Sequence, residues 1–374
     1  GAGGVLLEGR DEGGRRVDAP VAAVFGSSSH GLTPISVEGG RRIRELRLSY
    51  STSQDRWIMT PGSLDDPDPL GSPSSSERSA WCLGCHSTLL AWRGDRLEPR
   101  ESVFGVHCER CHGPGSAHLE AVEGRGEGPA IFNPGSLRRD EQVRFCGQCH
   151  REPADIEPGD ALRRSASMAR HAGAGLMLSA CFRRSPPERT IACLDCHDAH
   201  RNLDLALDRP NQACSRCHPR PGADHASRPI AAGSDCVSCH MPVERRGMGG
   251  IAFTDHWIRV PGAPAPLESA ARGEYVTALE ASYRGPLEGG GRGPESRAAR
   301  WTRLGDLLCF DGRTEAGLDC FRSALALQPP YSDRVRLADR FRKAGKTGEA
   351  AAVLEEAART EPLFNRAYHA LIEL

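Results

Sequence analysis

The chain has 374 residues, with 48 Lys and Arg against 49 Asp and Glu, a formal net charge of −1 and only 5% aromatic residues. That length allows two or three domains, and the balanced charge gives no reason to expect nucleic acid or an acidic membrane surface as a partner. With 42 Gly and 27 Pro, the middle of the chain lacks the side chains of a conventional core, and no apolar run approaches the ~20 residues that span a bilayer.

From Val5 to about Gly62 the pattern is strand-like, with alternation such as Arg42-Ile43-Arg44-Glu45-Leu46-Arg47-Leu48-Ser49-Tyr50 after the turn signal Gly39-Gly40. The expectation is a small antiparallel sheet. Inside it, Phe25-Gly26-Ser27-Ser28-Ser29-His30-Gly31 is a Gly/Ser-rich turn that presents one histidine. Residues 65–76, rich in Asp, Pro, Ser and Gly, read as an exposed linker. The chain starts at Gly1 with no charged, apolar signal segment, so a removed signal or a trimmed chain is expected.

Between Cys82 and His240 the pattern Cys-x-x-Cys-His occurs six times: Cys82, Cys85 and His86; Cys108, Cys111 and His112; Cys146, Cys149 and His150; Cys193, Cys196 and His197; Cys214, Cys217 and His218; Cys236, Cys239 and His240. This is the attachment signature of a c-type haem. Two thiols three positions apart can each form a thioether to one porphyrin, and the adjacent histidine falls under the iron. Cys-x-x-Cys pairs also make zinc knuckles and redox dithiols, but neither requires His directly after the second Cys. Six such coincidences favour six covalently bound c-type haems over either. Porphyrins then supply the apolar surface that the side chains lack. Twelve of the fifteen cysteines are used in this way, which leaves Cys181, Cys309 and Cys320.

The occupant of the sixth iron position separates electron transfer from catalysis. Outside the motifs stand His30, His107, His118, His171, His200, His225, His256 and His369. Eight spares for six irons allow every haem to be bis-histidine. His118 and His200 follow their own motifs too closely to reach the far face of the same porphyrin, so each is expected to serve a neighbour. His30, His171, His225 and His256 are expected to take the other four places. His107, pinned beside Cys108, and His369, far from any motif, are set aside. A ligating histidine wants its second ring nitrogen held by an acceptor, and Asp224 and Asp255 are the candidates for His225 and His256. The five methionines are read as packing residues.

After Pro261 the composition turns to Ala, Leu, Glu and Arg at helical spacing, and Glu268 to Tyr283 is expected to be a first helix. Trp301, Leu304, Gly305, Leu308, Gly317, Phe321, Ala324 and Pro329 then occupy the spacing of a tetratricopeptide repeat of about 34 residues. A second copy carries Leu337, Ala338, Phe341, Ala350, Leu354, Ala357 and Pro362, and Phe364 to Leu374 would cap it. Cys309 and Cys320 fall on facing helices of one hairpin, where a disulfide competes with plain burial. Arg297, Arg300, Arg303, Arg322, Arg334 and Arg336 are expected to give the repeats a positive docking face for an acidic partner.

Several stretches resemble multihaem cytochromes of the cytochrome c-554-like type, fused to a tetratricopeptide region. These are residues 25–31, Cys108 to His118 with its Gly113-Pro114-Gly115 turn, Cys193 to His200, Cys239-His240-Met241-Pro242, and Asp255-His256. The resemblance implies that His118 and His200 are cross-haem axial ligands and that attachment is completed outside the cytoplasm. It departs from the family in having no motif upstream of residue 82.

The expected fold is therefore mainly α with extensive loops. Residues 1–76 would form a small β-rich segment supplying a distal His, 77–260 a hexahaem cytochrome domain, and 261–374 a helical α-solenoid. The expected function is periplasmic or cell-surface electron transfer through six close-packed bis-His haems, with redox proteins or further copies of the chain as partners. A subunit of an extracellular cytochrome filament is one alternative. A nitrite- or hydroxylamine-type oxidoreductase with one open haem is the other.

Overall fold

The structure is a computed structural model. It describes residues 5–371 except 12, 28–30, 41, 53, 61–62, 64–65, 67, 72, 75, 94–95, 129–130, 202–207, 220–224, 226–229, 231–233, 245–251, 289–296, 330, 361–366 and 368–369. His30, Asp224, Pro362 and His369 lie outside the described residues. The chain is mainly helical, with short strands and long loops. It divides into two compact units, Gly1–Cys149 with Ser179–Pro261, and His150–Leu178 with Gly262–Leu374.

The first unit begins with the hairpin β1 (Leu6–Arg10) and β2 (Arg16–Pro20). An antiparallel sheet follows, built from β3 (Ala23–Ser27), β4 (Gly31–Glu38), β5 (Arg42–Glu45), β6 (Leu48–Ser51) and β7 (Arg56–Met59). Its order is β3-β4-β6-β7, with β5 also paired to β4 in the register Val37 to Ile43. Gly39 and Gly40 turn the chain between β4 and β5 at φ 56° and 71°, a backbone that glycine adopts without strain. Alternation puts Ile35 and Ile43 fully inside, where they meet Leu83 and Leu97 and partly buried Phe25, Val37, Cys82 and Phe104. Leu83 belongs to α1 (Ser76–His86), and the Ser79 hydroxyl of the same helix accepts a hydrogen bond from the Ile43 amide at 2.8 Å. The sheet therefore seats the first Cys-x-x-Cys-His helix.

Short helices carry the next two motifs: α2 (Cys108–His112), α3 (Ser116–Val122) and α4 (Arg139–His150). In the second unit, α5 (Pro158–Arg163) and α6 (Ala172–Leu178) flank a 3-10 turn at Ala166–Arg170. Back in the first unit come α7 (Ala180–Arg184), α8 (Asp208–Ser215) and α9 (Cys236–His240). Ser179 separates α6 from α7, and its hydroxyl accepts from the Ile258 amide at 2.8 Å. Residues 172–184 thus form two short helices rather than one.

The second unit continues with α10 (Arg272–Glu288), whose start lies four residues after the expected Glu268 because Pro266–Glu268 forms a 3-10 turn. Buried Tyr283 on α10 donates to the Ile156 carbonyl at 2.6 Å. Two helical hairpins follow: α11 (Arg297–Phe310) with α12 (Thr314–Leu325), and α13 (Tyr331–Lys343) with α14 (Thr347–Thr360). Their interior holds Leu318, Phe321, Ala324, Leu337, Ala338, Phe341, Ala350, Leu354 and Ala357. Glycine is needed where α11 meets α12. A Cβ on Gly305 would come within 2.4 Å of the Phe321 ring and 2.8 Å of the Gly317 carbonyl, and one on Gly317 within 2.4 Å of Cys309 Sγ.

The expected positive face is corrected here. Arg300 and Arg334 are 6% and 8% exposed, and Arg322 is held by Asp319 and by both carboxylate oxygens of Glu349. Arg300 precedes Leu304 and Leu307 by one and two helical turns, so it shares their inner face.

Candidate haem sites

Each motif sits on a short helix or tight turn, where the spacing puts both thiols and the histidine on one face. Cys82, Cys85 and His86 end α1. Cys108, Cys111 and His112 make up α2. Cys146, Cys149 and His150 close α4. Cys193 starts a 3-10 turn that runs through Asp195 to Cys196 and His197. Cys214 lies at the end of α8 with Cys217 and His218 just after it, and Cys236, Cys239 and His240 form α9.

Local sequence fixes these turns. Asp235 caps α9, with its carboxylate accepting from the Val237 and Ser238 amides. Gly113 ends α2 at φ 74°, and Glu109 draws the following loop back by accepting from the Gly115 amide at 2.7 Å. That turn leads directly into α3 and His118.

The motifs of the first unit also touch one another. Arg110, inside the second motif, donates to the Gly84 carbonyl of the first at 2.7 Å. The Cys146 and Cys193 thiols hydrogen-bond each other, which lowers the pKa of Cys146 and raises that of Cys193. Cys214 is pushed up to about 11, chiefly by burial and by the neighbouring Cys236.

Among the described residues, three motif histidines face a spare histidine from another segment. The ring centres of His112 and His200 are 5.9 Å apart at 10° between planes, those of His197 and His256 6.0 Å at 29°, and those of His240 and His225 5.8 Å at 80°. Two metal–nitrogen bonds of about 2 Å laid end to end, with the half-width of each imidazole added, span about 6 Å. In these three pairs the residues present therefore fit a haem iron, which the two imidazoles would hold between them. His197 and His200, three residues apart, belong to different pairs.

The tautomers suit the same role. Nδ1 of His112 donates to the Phe132 carbonyl, Nδ1 of His240 to the Arg259 carbonyl, both at 2.8 Å, and Nδ1 of His256 to the Thr254 carbonyl at 2.9 Å. Each bond leaves Nε2 with its lone pair for a metal. Asp255 is not the acceptor for His256, contrary to expectation. Its buried carboxylate accepts from the Trp257 amide at 2.9 Å and from Arg259 at 2.5 Å.

At His86, Phe25 from β3 stacks on the imidazole, 4.8 Å away at 17°. At that separation two near-parallel rings must lie face to face, so Phe25 covers the flat side of the imidazole and restricts its rotation. His118 lies on α3. His171, with His150 in the second unit, follows the Ala166–Arg170 turn with a buried Nδ1 that has no hydrogen-bond partner. Burial first, then Arg151 and Arg170, push its pKa down to about 4, which keeps it in the neutral form that ligates metals. His107 donates through Nε2 to the Phe104 carbonyl, 3.1 Å away.

Sequence reasoning missed Phe25 as a partner of His86 and missed the carbonyls that orient the imidazoles. No composition signal marks a backbone acceptor. Phe25 does stand five residues before His30, in the stretch singled out for that histidine.

No family model matches the chain, and no solved structure matches it. It is similar to multiheme cytochrome MtrA of Shewanella baltica, with 28% identity over 221 residues covering 54% of this chain and 58% of that protein. The chain thus spans little more than half the length of this curated relative, and the likeness supports a multihaem c-type cytochrome with covalently bound haem.

Proposed function

We propose that the chain is an extracytoplasmic multihaem electron carrier with six covalent c-type haems, each held by a motif histidine and a distal histidine. The observation that carries this reading is the set of three long-range imidazole pairs, each near 6 Å and each joining one motif histidine to one spare. In this reading His200 serves the second haem, His256 the fourth and His225 the sixth. His30, His118 and His171 serve the remaining three.

When bound, haem supplies a reversible one-electron couple, and two imidazoles leave the iron no open position for substrate. The chain's own part would be to hold neighbouring haems close together. Arg110 ties the first and second motifs. The two helical hairpins are read as a tetratricopeptide-like docking or self-assembly module for a redox partner or a further copy. No helix among the described residues is long and apolar enough to cross a membrane.

Intact mass after denaturation is the direct test. An increment of six haems over the polypeptide is expected, five or fewer refutes the count, and none refutes the class. The ferric protein should also be low-spin throughout. A substantial high-spin signal with carbon monoxide binding on reduction would replace the carrier by the oxidoreductase alternative.

A further inference from the structure

Three of the six motifs converge on one buried carboxylate. Asp195, inside the fourth motif, has a side chain only 8% exposed and is bonded on both oxygens. Oδ2 accepts from Arg139 and, at 2.8 Å, from the Ala192 amide. Oδ1 meets Arg216 at 2.7 Å. Arg139 opens α4, the helix that ends in the third motif, and also donates to the Thr190 carbonyl. Arg216 lies between the two cysteines of the fifth motif. Arg209 on α8 donates to the Leu194 carbonyl beside Asp195 at 2.8 Å. One acid therefore bridges two guanidiniums, one from the start of the helix that ends in the third motif and one from inside the fifth.

A structural clasp would be served by any well-shaped hydrogen-bonded group. This one carries an unequal charge, two guanidiniums against one carboxylate. Its carboxylate is largely removed from water, while its two guanidiniums are partly exposed, and it lies among thiols that would each bond a porphyrin edge. Reduction adds one negative charge to a haem, so a nearby positive charge favours the reduced form and a nearby negative charge opposes it. At low effective dielectric such interactions are strong. We infer that Asp195, with Arg139 and Arg216, is a shared electrostatic clamp that sets the reduction potentials of the third, fourth and fifth haems together. It rests on the proposed multihaem reading.

Asp195 and the two arginines are positioning residues that touch no iron. Opposite signs separate a charge role from a merely structural one. Asp195→Asn keeps the shape and removes the negative charge. It should shift the potentials of about half of the haem absorbance upward in a spectroelectrochemical titration with dithionite, leaving the other half in place. Arg216→Gln, at a side chain 56% exposed and so tolerant of replacement, should shift the same fraction downward. Shifts of one sign in both variants, or no shift in either, overturn the inference.

Intact mass is read on every sample. Should Asp195→Asn lose haem, Arg216→Gln still decides, because a downward shift limited to that fraction supports the clamp and an unchanged titration sinks it. A wild-type protein without haem would instead overturn the multihaem reading itself.

Discussion

Helices behave in opposite ways in the two parts of this chain. In the hairpin helix α12, Gly317, Leu318, Cys320, Phe321 and Ala324 are buried along one stripe. None of the residues of α2, α3 or α9 is buried. Around the second motif, Val106, Leu119 and Val122 stand 62%, 61% and 70% exposed. The hairpins close their core with their own side chains. The motif helices present thiols, imidazoles and apolar residues that the described residues do not bury. Haem plates would bury those faces, since the driving force for covering Leu or Val does not depend on whether the cover is a side chain or a porphyrin.

The largest test of this contrast removes the haems altogether. A chain produced without thioether attachment should lose amide hydrogen-exchange protection through residues 105–125 and 190–240, whereas residues 297–360 keep theirs. A core supplied by haem has no substitute, and helices of five to seven residues are not stable alone in water. Equal protection in both regions with and without haem would show that the motif segments hold themselves together.

A truncation pair sharpens the same contrast. Phe321 is fully buried and meets Phe341 edge to face at 6.0 Å, with the Arg340 guanidinium 5.9 Å from its ring centre. Phe321→Ala should cost about 3–5 kcal/mol, with or without haem, measured as the unfolding free energy of the hairpin amides. Leu119→Ala should cost nothing in the haem-free chain, where the side chain is already in water. A measurable loss only in the haem-loaded protein would mark Leu119 as part of a haem-covered face.

What could be read in advance followed the strength of local rules. Cys-x-x-Cys-His is a covalent requirement, so its six copies stand in the sequence without any need of fold. His200, His225 and His256 could be named as candidates by counting, but the pairing of His200 with His112 depends on how segments far apart in sequence meet. The sheet was legible from alternation around Ile35 and Ile43. Its strand order was not, because β4 pairs with three neighbours and local pattern carries no such instruction. Arg300 and Arg334 were misread as surface charges because residue type was given more weight than position. Both fall on the helical period of buried neighbours, Leu304 and Leu307 for one, Ala338 and Phe341 for the other.

The smallest expected effect concerns a charge link within the helical unit. Glu280 on α10 accepts from Arg313 at 2.6 Å and from Arg284 at 2.9 Å. The Arg313 hydrogen bond is the main cause of its lowered pKa, with burial opposing. A carboxylate whose folded pKa lies below its unfolded value stabilises the fold above the unfolded pKa, and that contribution is lost as pH falls through the folded one. Glu280→Gln should therefore cost about 0.2–1 kcal/mol near neutral pH, the range of partly exposed ion pairs. The difference from wild type should shrink as pH drops below the ordinary glutamate range and should also shrink in high salt. Urea unfolding of both proteins at pH 7 and at pH 3, followed by helical circular dichroism, measures it. A difference that persists unchanged at pH 3 would assign the contribution to packing of the Glu280 stem between α10 and the Asp311-Gly312 turn rather than to its charge.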